Sequence, residues 1–282
     1  MTAREVRTDA AAYRAAVAEL APLLRIGGGV DGIRVVPGRG VWWERLVDAA
    51  AFVVDEPDPA SAEVHARLAA IGVPVVVVRR RLRPDVVADA GAETIAPRHV
   101  VVDAWGGRTD AAALLRDAVG WARVLVGGPL SVVARAETAS ATTVALRGPN
   151  GIGASVTRAI GGGVGGALTA TALGPRRVEV RVDSASPLCE VAFDDEEGRR
   201  VRPVRRESPE RLALRRILDA VDSGAAPSDL ADLAADDGAV APGALGRGPG
   251  APDPSAIGVR ADQSHRYPAS TGSASLISPS VR

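Results

Sequence analysis

The chain has 282 residues, with 34 basic and 34 acidic side chains that cancel, three histidines and a single cysteine. That length accommodates two domains with their own cores, and the balanced charge leaves no field to draw nucleic acid or an acidic membrane. One thiol, Cys189, excludes an internal disulfide and zinc sites of the Cys2His2 type, and the absence of lysine closes any mechanism that needs a tunable amine, because arginine stays protonated.

At the N-terminus, Met1-Thr2-Ala3-Arg4-Glu5 lacks the apolar core of a signal peptide. No later apolar run approaches the roughly 20 residues of a membrane span. The cytoplasm is the expected compartment, with no membrane association. Residues 8–24 predict an amphipathic helix with Tyr13, Val17, Leu20 and Leu24 on one face. Gly27, Gly29 and Gly32 then match the G-x-G-x-x-G spacing of a dinucleotide loop. The context is reversed, with a helix before the glycines and an extended segment, 33–36, after them. Asp31 also places a negative charge inside the loop, so a turn is expected rather than a phosphate cradle. Residues 41–47 predict a short helix whose adjacent Trp42 and Trp43 point to different sides, one of them toward the core.

Residues 48–82 are the most legible part of the chain. An apolar strand (50–54) leads into an acidic corner, Asp55-Glu56-Pro57-Asp58-Pro59, and then a helix (60–71) with Ala60, Val64, Leu68 and Ile71 at helical spacing, Asp58 as its cap and Pro59 in its first turn. Gly72 turns the chain into a second apolar strand, 73–78, closed by Arg79-Arg80-Arg81. Continuous β-branched strands around a helix make a βαβ unit of a parallel sheet covered on both faces. This stretch resembles the Gfo/Idh/MocA family of NAD(P)-dependent sugar oxidoreductases, whose corresponding strand ends in a Pro-containing corner and whose next strand leads into Glu-Lys-Pro. Here that motif is replaced by Arg79-Arg80-Arg81-Leu82.

Residues 84–90 predict a short helix and 99–103 a further strand, with a domain boundary near Gly107. A helix over 109–126 presents Leu114, Ala118, Trp121 and Leu125 on one face. Its end, Trp121-Ala122-Arg123-Val124-Leu125-Val126-Gly127, is similar to the close of the family helix that carries Asp-x-Gly-x-His-x-x-Asp. Carried back from that anchor, the four motif positions fall on Ala113, Leu115, Asp117 and Gly120. Seven short strands follow between 131 and 204, separated by turns such as Gly148-Pro149-Asn150-Gly151 and Glu197-Gly198, and they predict an antiparallel meander. Gly161, Gly163 and Gly166 repeat the glycine spacing between two strands, where no helix dipole is available. Ser208 caps a helix through Gly224, and Ser228 a shorter one over 229–236. This pair is similar to the family's closing helices. The Gly, Ala, Pro and Ser composition after Asp237 predicts a disordered tail.

The expected fold is α/β: an incomplete Rossmann-like parallel sheet domain (1–107, truncated or divergent at its start), an α+β domain with a largely antiparallel sheet (108–237), and the tail (238–282). The resemblance implies an oxidoreductase frame, and the departures from its motifs imply lost dinucleotide binding and catalysis. The expected mode of action is then association, with itself or with an active relative, through the second-domain sheet. Two alternatives stand beside it. A divergent NAD(P)-dependent sugar oxidoreductase would use Glu56, Pro57, Arg79 and Arg80 for the cofactor and Asp117 or His99 for proton transfer. A sensor would bind a sugar phosphate at the arginines, which lie where parallel strands end and ligands bind; the competing reading of those arginines is a solvated corner paired with Asp55, Glu56 and Asp58. No cofactor is expected unless the protein is active, and no metal.

Overall fold

A computed structural model describes residues 3–161, 166–183 and 189–241. Five parallel strands form the first sheet: β1 (Arg4–Arg7), β2 (Leu24–Ile26), β3 (Ile33–Pro37), β4 (Ala51–Asp55) and β5 (Val75–Val78), in the order β2-β1-β3-β4-β5. Helix α1 (Ala11–Glu19) joins β1 to β2, and α2 (Ala62–Leu68) joins β4 to β5. The chain first runs outward from β1 to β2, then returns to the other side of β1 with β3. The C-terminal ends of β1 and β3 therefore flank the switch point at which open α/β sheets take their ligands. With five strands the sheet is one short of the six-stranded dinucleotide arrangement.

The continuous apolar strands are buried on both faces, as their composition requires. Val53, Val76 and Val78 pack toward α1 and a later helix, α5 (Pro209–Ser223). Phe52, Val54 and Val77 pack with Trp42, Val64 and Leu68, and with Leu233 of the last helix, α6 (Asp229–Val240). Of the two adjacent tryptophans in the helical turn Trp42–Arg45, Trp42 is the one in the core.

Two local expectations are corrected here. The helix read over 8–24 is in fact a turn, α1, a second turn and the first residue of β2, Leu24, with β1 lying before it; β1 offers only one apolar residue, Val6, and β2 is three residues long. Helix α2 is capped by Ser61, whose hydroxyl accepts from the Val64 N–H at 3.4 Å, while Asp58 turns away to accept from the Gly40 N–H and Arg39.

The second sheet has eight strands: β6 (His99–Gly106), β7 (Ser131–Glu137), β8 (Ala141–Arg147), β9 (Gly153–Ile160), β10 (Gly166–Leu173), β11 (Arg177–Asp183), β12 (Cys189–Asp195) and β13 (Gly198–Val201). Their order is β13-β12-β11-β10-β6-β9-β8-β7, antiparallel except for the parallel pair of β6 and β9 at its centre. Strand β6, expected with the first sheet, belongs to the second, so the chain leaves the first sheet before His99 rather than at Gly107. Its alternation explains this: Val100, Val102 and Ala104 are buried while Asp103 and Trp105 are exposed, the pattern of a sheet covered on one face only. Helices α3 (Pro84–Glu93) and α4 (Ala111–Val126) cover that face. Helix α6 runs to Val240, past the expected start of the tail at 238. The tail from residue 242 onward lies outside the described residues, as does Gly163 of the second glycine match. Among the described residues no helix is long and apolar enough to cross a membrane.

Candidate functional site

The C-terminal ends of β4 and β5 meet the N-terminal half of α4, and this junction collects most of the residues singled out in the sequence. α4 is tied to the first sheet by four bonds: Arg116 donates to the Pro57 carbonyl at 2.7 Å, the Trp121 indole to the Arg81 carbonyl at 2.6 Å, Arg79 Nε to Asp117 at 2.9 Å and Arg79 Nη2 to the Arg116 carbonyl at 3.2 Å. Gly120 lies one turn along the helix from Arg116. A Cβ there would come within 2.7 Å of Arg79 Nη2, Asp236 Oδ2 and Leu82. Glycine at this position makes the close approach of α4 to β5 and α6 possible.

Arg79, expected as an anion or cofactor ligand, is committed elsewhere. It is 6% exposed, and its Nη1 donates to Asp236 at 2.6 Å while Nε holds Asp117. Asp236 also accepts from Arg123 at 2.7 Å, and Asp232 takes a second Arg123 nitrogen at 2.8 Å. Asp237 accepts from His65 at 2.8 Å and from the Ala60 N–H at 3.0 Å, and Asp229 accepts from Arg216 and from the Val77 N–H. The acidic face of α6 thus closes over the basic corner. Asp229, Asp232, Asp236 and Asp237 share one side of α6, a spacing legible in the sequence at i, i+3, i+7 and i+8 but without its arginine partners, which lie far away in the chain.

Asp117 is fully buried. Burial alone would raise its pKa, but the guanidiniums of Arg79, Arg116 and Arg81 outweigh burial and hold its carboxyl below the ordinary range. An acid held ionised by three cations is a poor proton donor and a weak base. Glu56 is shifted the other way: burial and the nearby Asp117 charge raise it, against the Arg80 N–H that its carboxylate accepts. Arg80 faces solvent, paired with Asp55 and with Glu210 of α5 at 3.0 Å. Glu56, Pro57, Arg79, Arg80 and Asp117 are therefore brought together. His99 is not. It begins β6, and its Nε2 lies 3.4 Å from Ser155 Oγ, while Gly106 at the far end of that strand is the residue beside Arg81 through its partner Gly166. Seven strand steps, roughly 23 Å, separate the two ends, so His99 and Asp117 cannot share a proton-transfer site.

Cys189 is partly buried, and burial raises its thiol pKa, which makes it a poor nucleophile. A further buried cation lies on the second sheet, at a strand position that carries no signal of burial in the sequence. Arg158 on β9 is 7% exposed and bonds Thr142 at 2.6 Å, while its Nε and Nη1 have no partner among the described residues.

The fold places a dinucleotide's pyrophosphate at the turn between β1 and α1. That turn reads Thr8-Asp9-Ala10, with no glycine. The Thr8 hydroxyl accepts from the Ala10 N–H at 3.2 Å, and Asp9 brings a carboxylate to the same place. These residues do not fit a pyrophosphate. The glycine match at 27–32 falls between β2 and β3, where the Glu5 carboxylate accepts from the Gly29 N–H at 2.9 Å and fills the space beside Gly27. That bond and Arg25 lower the Glu5 pKa. The glycines there cradle a side chain of the protein itself.

No protein-family model matches the sequence, and a search of curated proteins returns no match. Solved structures do resemble it. UDP-N-acetylglucosamine 3-dehydrogenase GnnA from Acidithiobacillus ferrooxidans superposes with a TM-score of 0.59 at 12% identity, covering 84% of this chain and 94% of that one. A variant of KijD10, a 3-ketoreductase from Actinomadura kijaniata in complex with TDP-benzene and NADP, gives 0.57 at 15% identity over 84% and 95%. An oxidoreductase from Sinorhizobium meliloti gives 0.57 at 10% identity over 84% and 95%. At such identities the likeness establishes the fold, a Rossmann-like sheet followed by a second, mostly antiparallel sheet, as found in NAD(P)-dependent oxidoreductases.

Proposed function

We propose that this chain is an oxidoreductase-fold protein of the Gfo/Idh/MocA type that has lost dinucleotide binding and hydride transfer, and that it acts by association with a second copy of itself. The observation that carries the reading is the closure of the Arg79–Asp117–Asp236 cluster. The residues standing where the family keeps its cofactor-proximal and proton-transferring groups are engaged with one another. A hydride-transfer centre needs an open cofactor site and a group able to exchange a proton. The glycine-free β1–α1 turn supports the same reading.

The surface for association is the open face of the second sheet. Across β6, β8, β9 and β10 it presents Asp103, Thr143, Ser155, Thr157, Thr169 and Thr171, with Trp105 48% exposed at one end. Small, nearly uncharged side chains with an exposed tryptophan make a flat surface that packs closely against its own copy. On β11 and β12 the charges on this face answer one another within the chain, Arg181 holding Glu179 at 2.6 Å and Arg199 reaching Glu190 at 3.5 Å, so they set no like-charge barrier against a second copy.

Sedimentation and nucleotide titration on the full chain test this reading. A dimer that Trp105→Glu converts to monomer, with no saturable quenching of tryptophan by NADH or NADPH up to about 1 mM, is the expected result. Micromolar nucleotide binding would overturn the loss of cofactor. A wild-type monomer, or a dimer indifferent to Trp105→Glu, would remove the proposed surface.

A further inference from the structure

We infer that the cavity at the β1–β3 switch point binds a small phosphate monoester of sugar-phosphate size through Arg7, Arg34 and Arg45. The cavity measures about 320 Å³, and these three arginines line it with Asp9, Tyr13 and Asp55. This volume is at the lower end of small-molecule sites and is short of what an extended dinucleotide occupies.

The sheet register supplies the main argument. Arg7 and Arg34 are direct partners on neighbouring strands β1 and β3, so their side chains leave the same face side by side. Like charges placed opposite one another cost stability unless something neutralises them. Neither residue makes an ion pair with any described carboxylate, and neither does Arg45. They lean instead on backbone carbonyls: Arg7 on Asp48 at 3.0 Å, Arg34 on Val47 at 3.1 Å, and Arg45 on Pro37 and Arg39 at 3.4 Å each. A neutral carbonyl orients a guanidinium without cancelling its charge, and each fork keeps several N–H groups free. Arg7 Nε is buried without a partner. In a chain that ties so many of its arginines to carboxylates, three uncancelled guanidiniums around one cavity form a site for an anion.

The remaining walls fit the rest of such a ligand. Asp55 already accepts from the Tyr13 hydroxyl at 3.2 Å and from Arg80, so its charge is largely answered from behind. Asp9 stands exposed on the rim. Both carboxylates accept hydrogen bonds from ligand hydroxyls, while Val35, Val36 and Pro37 offer an apolar surface. Three guanidiniums match the three terminal oxygens of a monoester dianion, with hydroxyl acceptors beyond it.

Isothermal titration of the full chain with glucose 6-phosphate, ribose 5-phosphate, inorganic phosphate and glucose tests the assignment, on the wild type and on Arg34→Ala and Arg45→Ala. Arg45 is exposed and holds only two long bonds, so its removal leaves the fold intact even if Arg34→Ala does not. The expected result is saturable binding of a sugar phosphate, none of glucose, and a loss of at least about tenfold in each folded variant, the weight of one charge-assisted bond. Arg205→Ala, a surface arginine paired with Asp89, should leave binding unchanged. Absence of binding at about 10 mM, or affinities unaltered by Arg45→Ala, would overturn the site. Inorganic phosphate binding as tightly as the esters would reduce it to a free-phosphate site and overturn the monoester assignment.

Discussion

Arg79 donates from Nε to Asp117 Oδ1 at 2.9 Å with both side chains buried, joining the end of β5 in the first sheet to the helix that covers the second. Removing one member of a buried pair leaves the other charged and unanswered, and such losses run to about 3–5 kcal/mol. Arg79→Ala takes the closest cation from Asp117 and one of two from Asp236, leaving Arg116 and Arg81 to the first and Arg123 to the second, so it should destabilise the protein by the lower part of that range in urea unfolding. Asp236→Ala should cost a similar amount, since it takes one of two carboxylates from each of Arg79 and Arg123. Two losses that added in the double variant, instead of overlapping, would show that the residues do not form one cluster.

Glu56 and Asp117 lie on opposite sides of their ordinary values, and this gives the protein two pH dependences of opposite sign. Asp117, depressed, contributes stability that is present above the unfolded carboxylate pKa and is lost as pH falls through its folded value. Glu56, raised by burial and by Asp117, does the reverse: stability falls as pH rises from the ordinary glutamate value, about 4.3, through its higher folded pKa. Glu56→Gln keeps an oxygen for the Arg80 N–H and removes the charge. It should raise Tm by a few degrees at pH 7 and leave it unchanged at pH 4. An equal shift at both pH values would assign the effect to packing rather than ionisation.

What the sequence disclosed followed from how one-sided each burial pattern is. Strands β4 and β5 are buried on both faces and read directly as apolar runs, and α4 and α5 read from their stripes. Strands β1 (Arg-Glu-Val-Arg) and β2 (Leu-Arg-Ile) are too short and too charged to carry such a signature, and Leu24 at the start of β2 falls in phase with the apolar stripe of the preceding helix. Strand β6 was legible as a strand, but its sheet followed only from the alternation of Val100, Val102 and Ala104 with exposed neighbours. Within the site, Asp117 was reached through a helix anchor at Arg123. Its environment was not legible, because Arg79, Arg116 and Asp236 come from elements up to 157 residues apart. The unpaired Arg7 and Arg34 are a fact of register, which a sequence does not state.

Gly120 sets two known tendencies against each other. Alanine in the middle of α4 should favour the helix by about 1 kcal/mol. The added methyl would nonetheless stand 2.7 Å from Arg79 Nη2 and Asp236 Oδ2, atoms fixed by their own ion pair. Overpacking of that kind costs about 1–3 kcal/mol, so Gly120→Ala should lower stability despite its better propensity. A gain in Tm would mean that the cluster can shift to make room.

Arg158 offers the opposite experiment, because its burial is poorly answered. The side chain is 7% exposed, reaches Thr142 with one nitrogen, and leaves Nε and Nη1 without partners on the helix-covered face of the second sheet. Desolvating a guanidinium costs several kcal/mol, and a single neutral hydroxyl returns little of it. Methionine has nearly the same reach without the charge. Arg158→Met should therefore raise the unfolding free energy by about 1–4 kcal/mol, the range seen when buried ionic groups are replaced by apolar ones. Chemical denaturation of the variant beside the wild type measures this directly. A fall in stability would mean that Arg158 meets an acceptor in solution.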